Sequence, residues 1–236
     1  MPHDRFYSPE TFSTNMILSL PDDEAHHLRV MRGKAGTQIE LVNGMGQLSQ
    51  ATVEAIDKRH TSVRIASIQD EPLPTRQIIL AQAVPKLSRL DTIVEKGTEL
   101  GMTQLWLFPG QRSEKSDLSH NQRQRVQFLA VSALKQCGRL HLPKIEYRTS
   151  LAKWTELPPI AFFGDVEESA PPFQKRLEEL KPQDVIFFVG PEAGFSSEEI
   201  AHLKQLGAHG VSLHKNILRT DTAPLAALSL ISHWLL

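Results

Sequence analysis

Four short, nearly unbroken apolar runs constrain this chain most: IILAQAV (78–84), QLWLF (104–108), PIAFF (159–163) and DVIFFV (184–189). A strand with one wet face alternates apolar and polar side chains, so runs without alternation belong to strands covered on both faces. Between them lie helical patterns. Leu90, Ile93, Val94, Gly97 and Leu100 share one face of a helix over 88–100, and Ser88 with Asp91 has the spacing of a capping box. Further helices are expected over 119–137 and 173–180, with a strand near KIEYR (144–148). This βα alternation predicts an α/β domain with a mostly parallel sheet.

The first 72 residues read differently. TQIELV (37–42), ATVEAI (51–56) and TSVRIASI (61–68) have strand character, NGMG (43–46) is a turn, and residues 22–31 suit a short helix. The Pro-rich EPLP (71–74) interrupts regular structure, which predicts a β-rich domain over 1–72 and an α/β domain over 73–236. The 236 residues contain no apolar run long enough to cross a membrane, and MPHDRFYSPE lacks the pattern of a secretory signal. A single cysteine, Cys137, excludes an internal disulfide framework and a cysteine-based zinc site. The ten histidines show no metal-binding spacing, so no metal is expected, and a cytoplasmic location fits the rest. Net charge is −1, but Arg112 to Arg148 holds eight Lys/Arg against three acids. That stretch is either a solvated helix face or a strip that follows a phosphate backbone.

Two loops can carry chemistry. GPEAG (190–194) follows the strand DVIFFV and precedes a helix opened by Ser196 and Glu199, a second capping box. Glycine loops at the carboxyl ends of buried strands are where open α/β sheets bind ligands, although a plain tight turn reads the same way. ILRTDTA (217–223) follows HGVSL (209–213) and leads into the apolar PLAALSL. Asp221 or Thr222 can cap that last helix, with Pro224 in its first turn. A cap does not require Arg219. An arginine beside a positive helix end is electrostatically unfavourable, and makes sense if something anionic or electron-rich is bound there.

GPEAGFSSEE followed by ILRTDTAPLAAL resembles the 16S rRNA uridine-N3 methyltransferases (RsmE type) of the SPOUT superfamily. HHLRVMR (26–32), ELVNGMG (40–46), KGTELG (96–101), Arg112-Ser113, Gln136 and Gly138-Arg139 resemble the same family in the same order, so the likeness covers essentially the whole chain. The chain departs from that pattern at Ala193, His214, Asn216 and Asp221, where the family usually has glycine, glycine, arginine and glutamate. The resemblance implies a PUA-like RNA-binding β-barrel before a SPOUT domain with a C-terminal trefoil knot, and a homodimer. It implies S-adenosylmethionine as cofactor and 16S rRNA or the assembled small subunit as partner. Cofactor contacts would come from Phe163, from Gly190, Pro191, Glu192 and Gly194, and from the last loop. In that loop the residues are Leu213, Ile217, Leu218, Thr220, Thr222 and Ala223. Arg32, Lys86, Arg112 and Arg139 would contact RNA.

Methylation of a uridine N3 requires loss of its proton or stabilisation of the developing imidate. Arg219 is the candidate for the second task or for gripping the target phosphate or base; Asp221 and Glu192 are candidate carboxylates for the first, with Asp221 equally a plain helix cap. Because N3 lies on the Watson–Crick edge, the target base must be unpaired or flipped out. The competing readings are a knot methyltransferase acting on another RNA such as tRNA, a non-catalytic RNA-binding ribosome-assembly factor, and a nucleotide-binding α/β protein.

Overall fold

A computed structural model describes residues 5–57 and 60–236; residues 1–4, part of the N-terminal stretch considered above, lie outside it. The chain divides into two compact units, one comprising residues up to Leu73 with Val131–Leu142, the other Pro74–Ala130 with Pro143–Leu236.

The first unit contains β1 (Arg5–Tyr7), β2 (Ile17–Ser19), α1 (Asp22–Val30), β3 (Gln38–Val42), β4 (Gln47–Ile56) and β5 (Thr61–Asp70). They form a mixed five-stranded sheet in the order β1-β3-β4-β5-β2, parallel only between β1 and β3. Phe6, Leu28, Leu41, Val63 and Ile65 centre its core. The NGMG turn is held by Asn43, whose Oδ1 accepts from the N–H groups of Met45 and Gln47. Gly44 and Gly46 both adopt positive φ there, as the turn requires.

The second unit contains β6 (Ile78–Ala83), α2 (Leu87–Glu99), β7 (Gln104–Phe108), α3 (His120–Cys137), β8 (Lys144–Tyr147), a 3₁₀ turn (Leu151–Lys153) and β9 (Ile160–Gly164). Then follow α4 (Phe173–Glu178), β10 (Val185–Val189), α5 (Ser197–Gln205), β11 (His209–Val211) and α6 (Ala223–Leu235). The last turns of α3 belong to the first unit. All six strands are parallel, in the order β11-β9-β10-β6-β7-β8. Every residue of β6 and β10 is buried, as their unbroken apolar runs require. Ile79, Ala81 and Ala83 pack with Trp154, Phe188 and Leu203, while α6 lies on β6, β10 and α2.

Three capping expectations meet different fates. Ser196 forms the expected box: its Oγ accepts from Glu199 N–H at 3.0 Å, and the Glu199 carboxylate accepts from Ser196 N–H at 2.8 Å. The box expected at Ser88 is absent, because α2 starts one residue earlier, after Lys86, whose carbonyl accepts from Arg89 and Leu90. Asp91 is free to pair with Arg125 instead. Neither Asp221 nor Thr222 caps α6. A backbone turn replaces them, since the Arg219 carbonyl accepts from the N–H groups of both Thr222 and Ala223. Pro224 does sit in the first turn of α6. Ser196→Ala is therefore expected to lower unfolding stability by about 1 kcal/mol. Thr222→Ala should stay within about 0.5 kcal/mol of the parent, as for a surface change with no lost bond. Urea unfolding followed by circular dichroism checks both.

Candidate functional site

The carboxyl ends of β9, β10 and β11 open onto a cavity of about 750 Å³. Three segments wall it: Gly164–Glu168 after β9, Gly190–Phe195 after β10, and Ser212–Thr220 after β11. Ligands of open parallel sheets bind at such strand ends. The second segment doubles back on itself so tightly that a Cβ on Gly190 would lie 2.9 Å from the Phe195 nitrogen. Gly194 takes φ 71°, and its N–H bonds the Pro191 carbonyl. Val166 and Ile217, 74% and 82% exposed, give the cavity an apolar rim.

Two polar ties join the second and third segments. The inner one is buried. Thr220 Oγ1 donates to the Gly190 carbonyl at 2.8 Å, and Gln82, fully buried at the end of β6, points its Nε2 at the same carbonyl (3.2 Å) and at Thr220 Oγ1 (3.2 Å). The outer tie is ionic. Arg89, in the first turn of α2, places Nε 3.1 Å from Glu192 Oε1 and Nη1 2.8 Å from Asp221 Oδ1. Glu192 Oε1 also accepts from Lys86 N–H at 3.0 Å. Arg219 leans toward Asp221, with Nε 3.7 Å away, yet its side chain stays 70% exposed on the cavity wall.

Of the cofactor residues expected from sequence, Gly190, Pro191, Glu192, Gly194, Leu213, Ile217, Leu218, Thr220 and Ala223 line this cavity. Phe163 and Thr222 do not line it. Phe163 is fully buried in the sheet core against the Leu203 cluster, so the wall begins at Gly164, the last residue of β9. Thr222 faces solvent in the turn before α6. Glu192 and Arg219 line the cavity, whereas Asp221 is drawn aside by Arg89.

The cation-rich stretch is not a free basic strip. Arg123 pairs with Asp117 and covers the Tyr147 ring, Arg125 pairs with Asp91, and Lys144 and Arg148 share Glu146. Lys135 and Arg139 belong to the first unit, where Lys135 pairs with Glu24 and burial pushes the Arg139 guanidinium below its usual pKa. Arg112 lines the cavity and donates to the Ala193 carbonyl at 3.2 Å. The Lys86 ammonium pairs with Glu114, which raises its pKa. Arg32 is exposed and ends α1 in the left-handed region at φ 59°.

Sequence reasoning missed Gln82, Arg89 and the acidic segment 164–168. A lone glutamine at the carboxyl end of an apolar strand was the one available signal. Among the described residues, no group of three or more His, Cys, Asp or Glu could hold a metal ion. Likewise no described helix is long and apolar enough to cross a membrane.

A parallel α/β sheet with a ligand-sized cavity at its carboxyl ends, accompanied by a small mixed-sheet unit, defines the class: a two-unit α/β protein with a small-molecule site at its strand ends. The chain belongs to the RNA methyltransferase family, matching the RNA methyltransferase domain over residues 71–232 and the RNA methyltransferase PUA domain over 20–66. It is 29% identical to the ribosomal RNA small subunit methyltransferase E of Aquifex aeolicus, over 97% of this chain and 99% of that protein. The protein of the same name from Synechocystis is 30% identical, over 91% of this chain and 72% of the relative. Among solved structures, a methyltransferase from Legionella pneumophila with bound S-adenosylmethionine superposes with a TM-score of 0.87 at 26% identity, over 97% of this chain and 96% of that one. The ribosomal RNA small subunit methyltransferase E of Neisseria gonorrhoeae, bound to S-adenosylmethionine, gives 0.83 at 28%, over 96% and 95%.

Removing the inner tie tests its contribution. Thr220→Val keeps the shape but leaves the Gly190 carbonyl without its shortest partner, and is expected to cost about 1–3 kcal/mol. Urea unfolding measures the loss.

Proposed function

We propose that this chain transfers the methyl group of S-adenosylmethionine to N3 of a uridine in the 16S RNA of the small ribosomal subunit. The observation that carries the reading is the cavity walled by GPEAG and LHKNILRT, in a chain that matches small-subunit rRNA methyltransferases along nearly its full length. The residues present fit the cofactor. The volume lies within the range of small-molecule sites, and the Gly190 turn lets backbone approach a ligand closely. Acidic side chains (Asp165, Glu167, Glu168) and cationic ones (Arg89, Arg112, Arg219) both line the cavity, as suits a ligand of mixed charge. When bound, the cofactor supplies a methyl group already activated on a sulfonium.

The remaining work falls to side chains of this chain. Arg219 is exposed beside the cavity and can hold the uridine carbonyl oxygen on which negative charge grows as N3 loses its proton. Glu192 and Asp221 are both engaged by Arg89, so we assign the N3 proton to solvent and give the carboxylates a structural task. The cavity segments orient base and methyl donor, a proximity effect worth several kcal/mol. Residues 1–72, joined by the Val131–Leu142 segment, form the PUA-like RNA-binding unit in this reading, with Arg32 and Arg139 as its cations, and the rest of residues 73–236 carries transfer, with Lys86 and Arg112 near the cavity. A knotted C-terminus agrees with the ties between segments 190–194 and 213–222 and with the return of α6 onto α2, β6 and β10. A homodimer agrees with the composition of α6, where Leu225, Leu230 and Trp234 remain partly exposed on an otherwise apolar helix.

Incubation with methyl-labelled S-adenosylmethionine and unmethylated small-subunit particles or 16S RNA, followed by nucleoside mapping, tests the proposal. The expected product is 3-methyluridine at one position; cofactor binding without transfer would overturn the reading. Arg219→Ala is expected to slow transfer by about 10²–10³-fold, the loss typical of one charge-stabilising donor. Its melting temperature should remain near that of the parent.

A further inference from the structure

The first turn of α2 has an unusual electrostatic arrangement. It contains no acidic residue, although carboxylates favour the positive end of a helix, and it contains a cation, Arg89, which that end disfavours. Both deficits are met from elsewhere in the chain. Glu192, from the segment after β10, accepts the N–H of Lys86 at the helix N-cap and lies 3.1 Å from Arg89 Nε. Asp221, from the segment before α6, lies 2.8 Å from Arg89 Nη1. One guanidinium thus holds carboxylates from two cavity-forming segments, using two edges of its planar fork. All three side chains are about three-quarters buried, with exposures of 21%, 26% and 23%, so the pairs are screened less than surface ion pairs.

The same Asp221 oxygen lies 3.7 Å from Arg219 Nε. Arg219 is otherwise an exposed side chain with many accessible rotamers. Whatever fixes Asp221 narrows where the Arg219 guanidinium can go. Removing Arg89 would leave two acidic side chains near each other without their shared cation, and would free both segments to move apart.

We propose that Arg89 is a positioning residue. It clamps the 190–194 segment to the 219–221 turn through Glu192 and Asp221, and thereby fixes Arg219 for methyl transfer. The catalytic half of this proposal rests on the function proposed above; the clamp itself does not. Arg89 touches no reacting atom in this scheme, and its effect passes through the two carboxylates.

The experiment compares Arg89→Met, Asp221→Asn and the double variant in the full chain. Without cofactor, hydrogen exchange of the amides in 190–195 and 213–223 should be about tenfold faster in Arg89→Met, while β6 and β10 exchange as in the parent. Cofactor affinity, by calorimetry with S-adenosylmethionine, should fall about tenfold. Single-turnover transfer at saturating cofactor should fall about a hundredfold, as expected of a misplaced reacting group. The double variant should be no slower than Arg89→Met, because Asp221 acts only through the clamp. Parent-like exchange in Arg89→Met, or losses that multiply in the double variant, would overturn the proposal. If Arg89→Met does not fold, Arg89→Lys replaces it: a point charge cannot reproduce the fork, so transfer at least tenfold slower with an unchanged melting temperature is expected, and a parent-like rate overturns it. A parent protein that transfers no methyl group sinks the proposed function alone, since the exchange measurement still decides the clamp.

Discussion

The hydroxyl of Thr220 sits between an amide that donates to it and a carbonyl that receives its proton, and the cavity depends on that relay. Gln82 is fixed in orientation because its Nε2 is surrounded by oxygens: the carbonyls of Ala83, Val189 and Gly190 and the Thr220 hydroxyl. Turning the amide over would place oxygen against oxygen. Its own Oε1 is left without a partner among the described residues, a cost accepted in a fully buried position. A leucine at the end of β6 would satisfy the core, but could not hold the Gly190 carbonyl. The polar residue in the strand therefore serves the cavity and not the sheet.

The ionic tie built on that base is of a different kind. The inner relay is short, neutral and insensitive to salt, so it sets the distance between the segments. The Arg89 clamp is charged and partly wet, so it sets their orientation and remains open to competition from other ions. Several other cations of this unit are engaged in pairs that mix long, flexible side chains with solvent. Those pairs, such as Arg125 with Asp91, contribute little to stability, whereas Arg219, Arg112 and Lys215 face the cavity opposite the acids of the 164–168 segment.

Much of this was legible in the sequence where local chemistry settled it. The buried runs at 78–84 and 184–189 could only be doubly covered strands, and they are neighbours in the sheet. Ser196 and Glu199 formed their box because both partners lie within one turn. The misreadings share one cause: local signals were outbid by distant partners. Asp221 has the residue type and place of a helix cap, but the Arg219 carbonyl satisfies the N–H groups and Arg89 takes the carboxylate. The cations between 112 and 148 look like a strip when read along the chain, but Arg125 and Lys135 meet counter-charges from the distant Asp91 and Glu24. Strands β1 and β2, three residues each, are too short to show a period. Gln82 and Arg89 matter through residues more than a hundred positions away, and no spacing rule reaches that far.

That separation also explains how the turn at 219–221 can serve two arginines without conflict. Asp221 is shared by Arg89, which is about one-fifth exposed, and Arg219, which is 70% exposed. A carboxylate held firmly on one side can guide a loosely held guanidinium on the other. An arginine held as tightly as Arg89 would have little freedom to follow a substrate oxygen. One without any carboxylate neighbour would spread over many rotamers and bind with a larger entropic loss. A separation of 3.7 Å lies between these limits, near enough to bias the side chain and far enough to leave its donors free for an incoming anionic group.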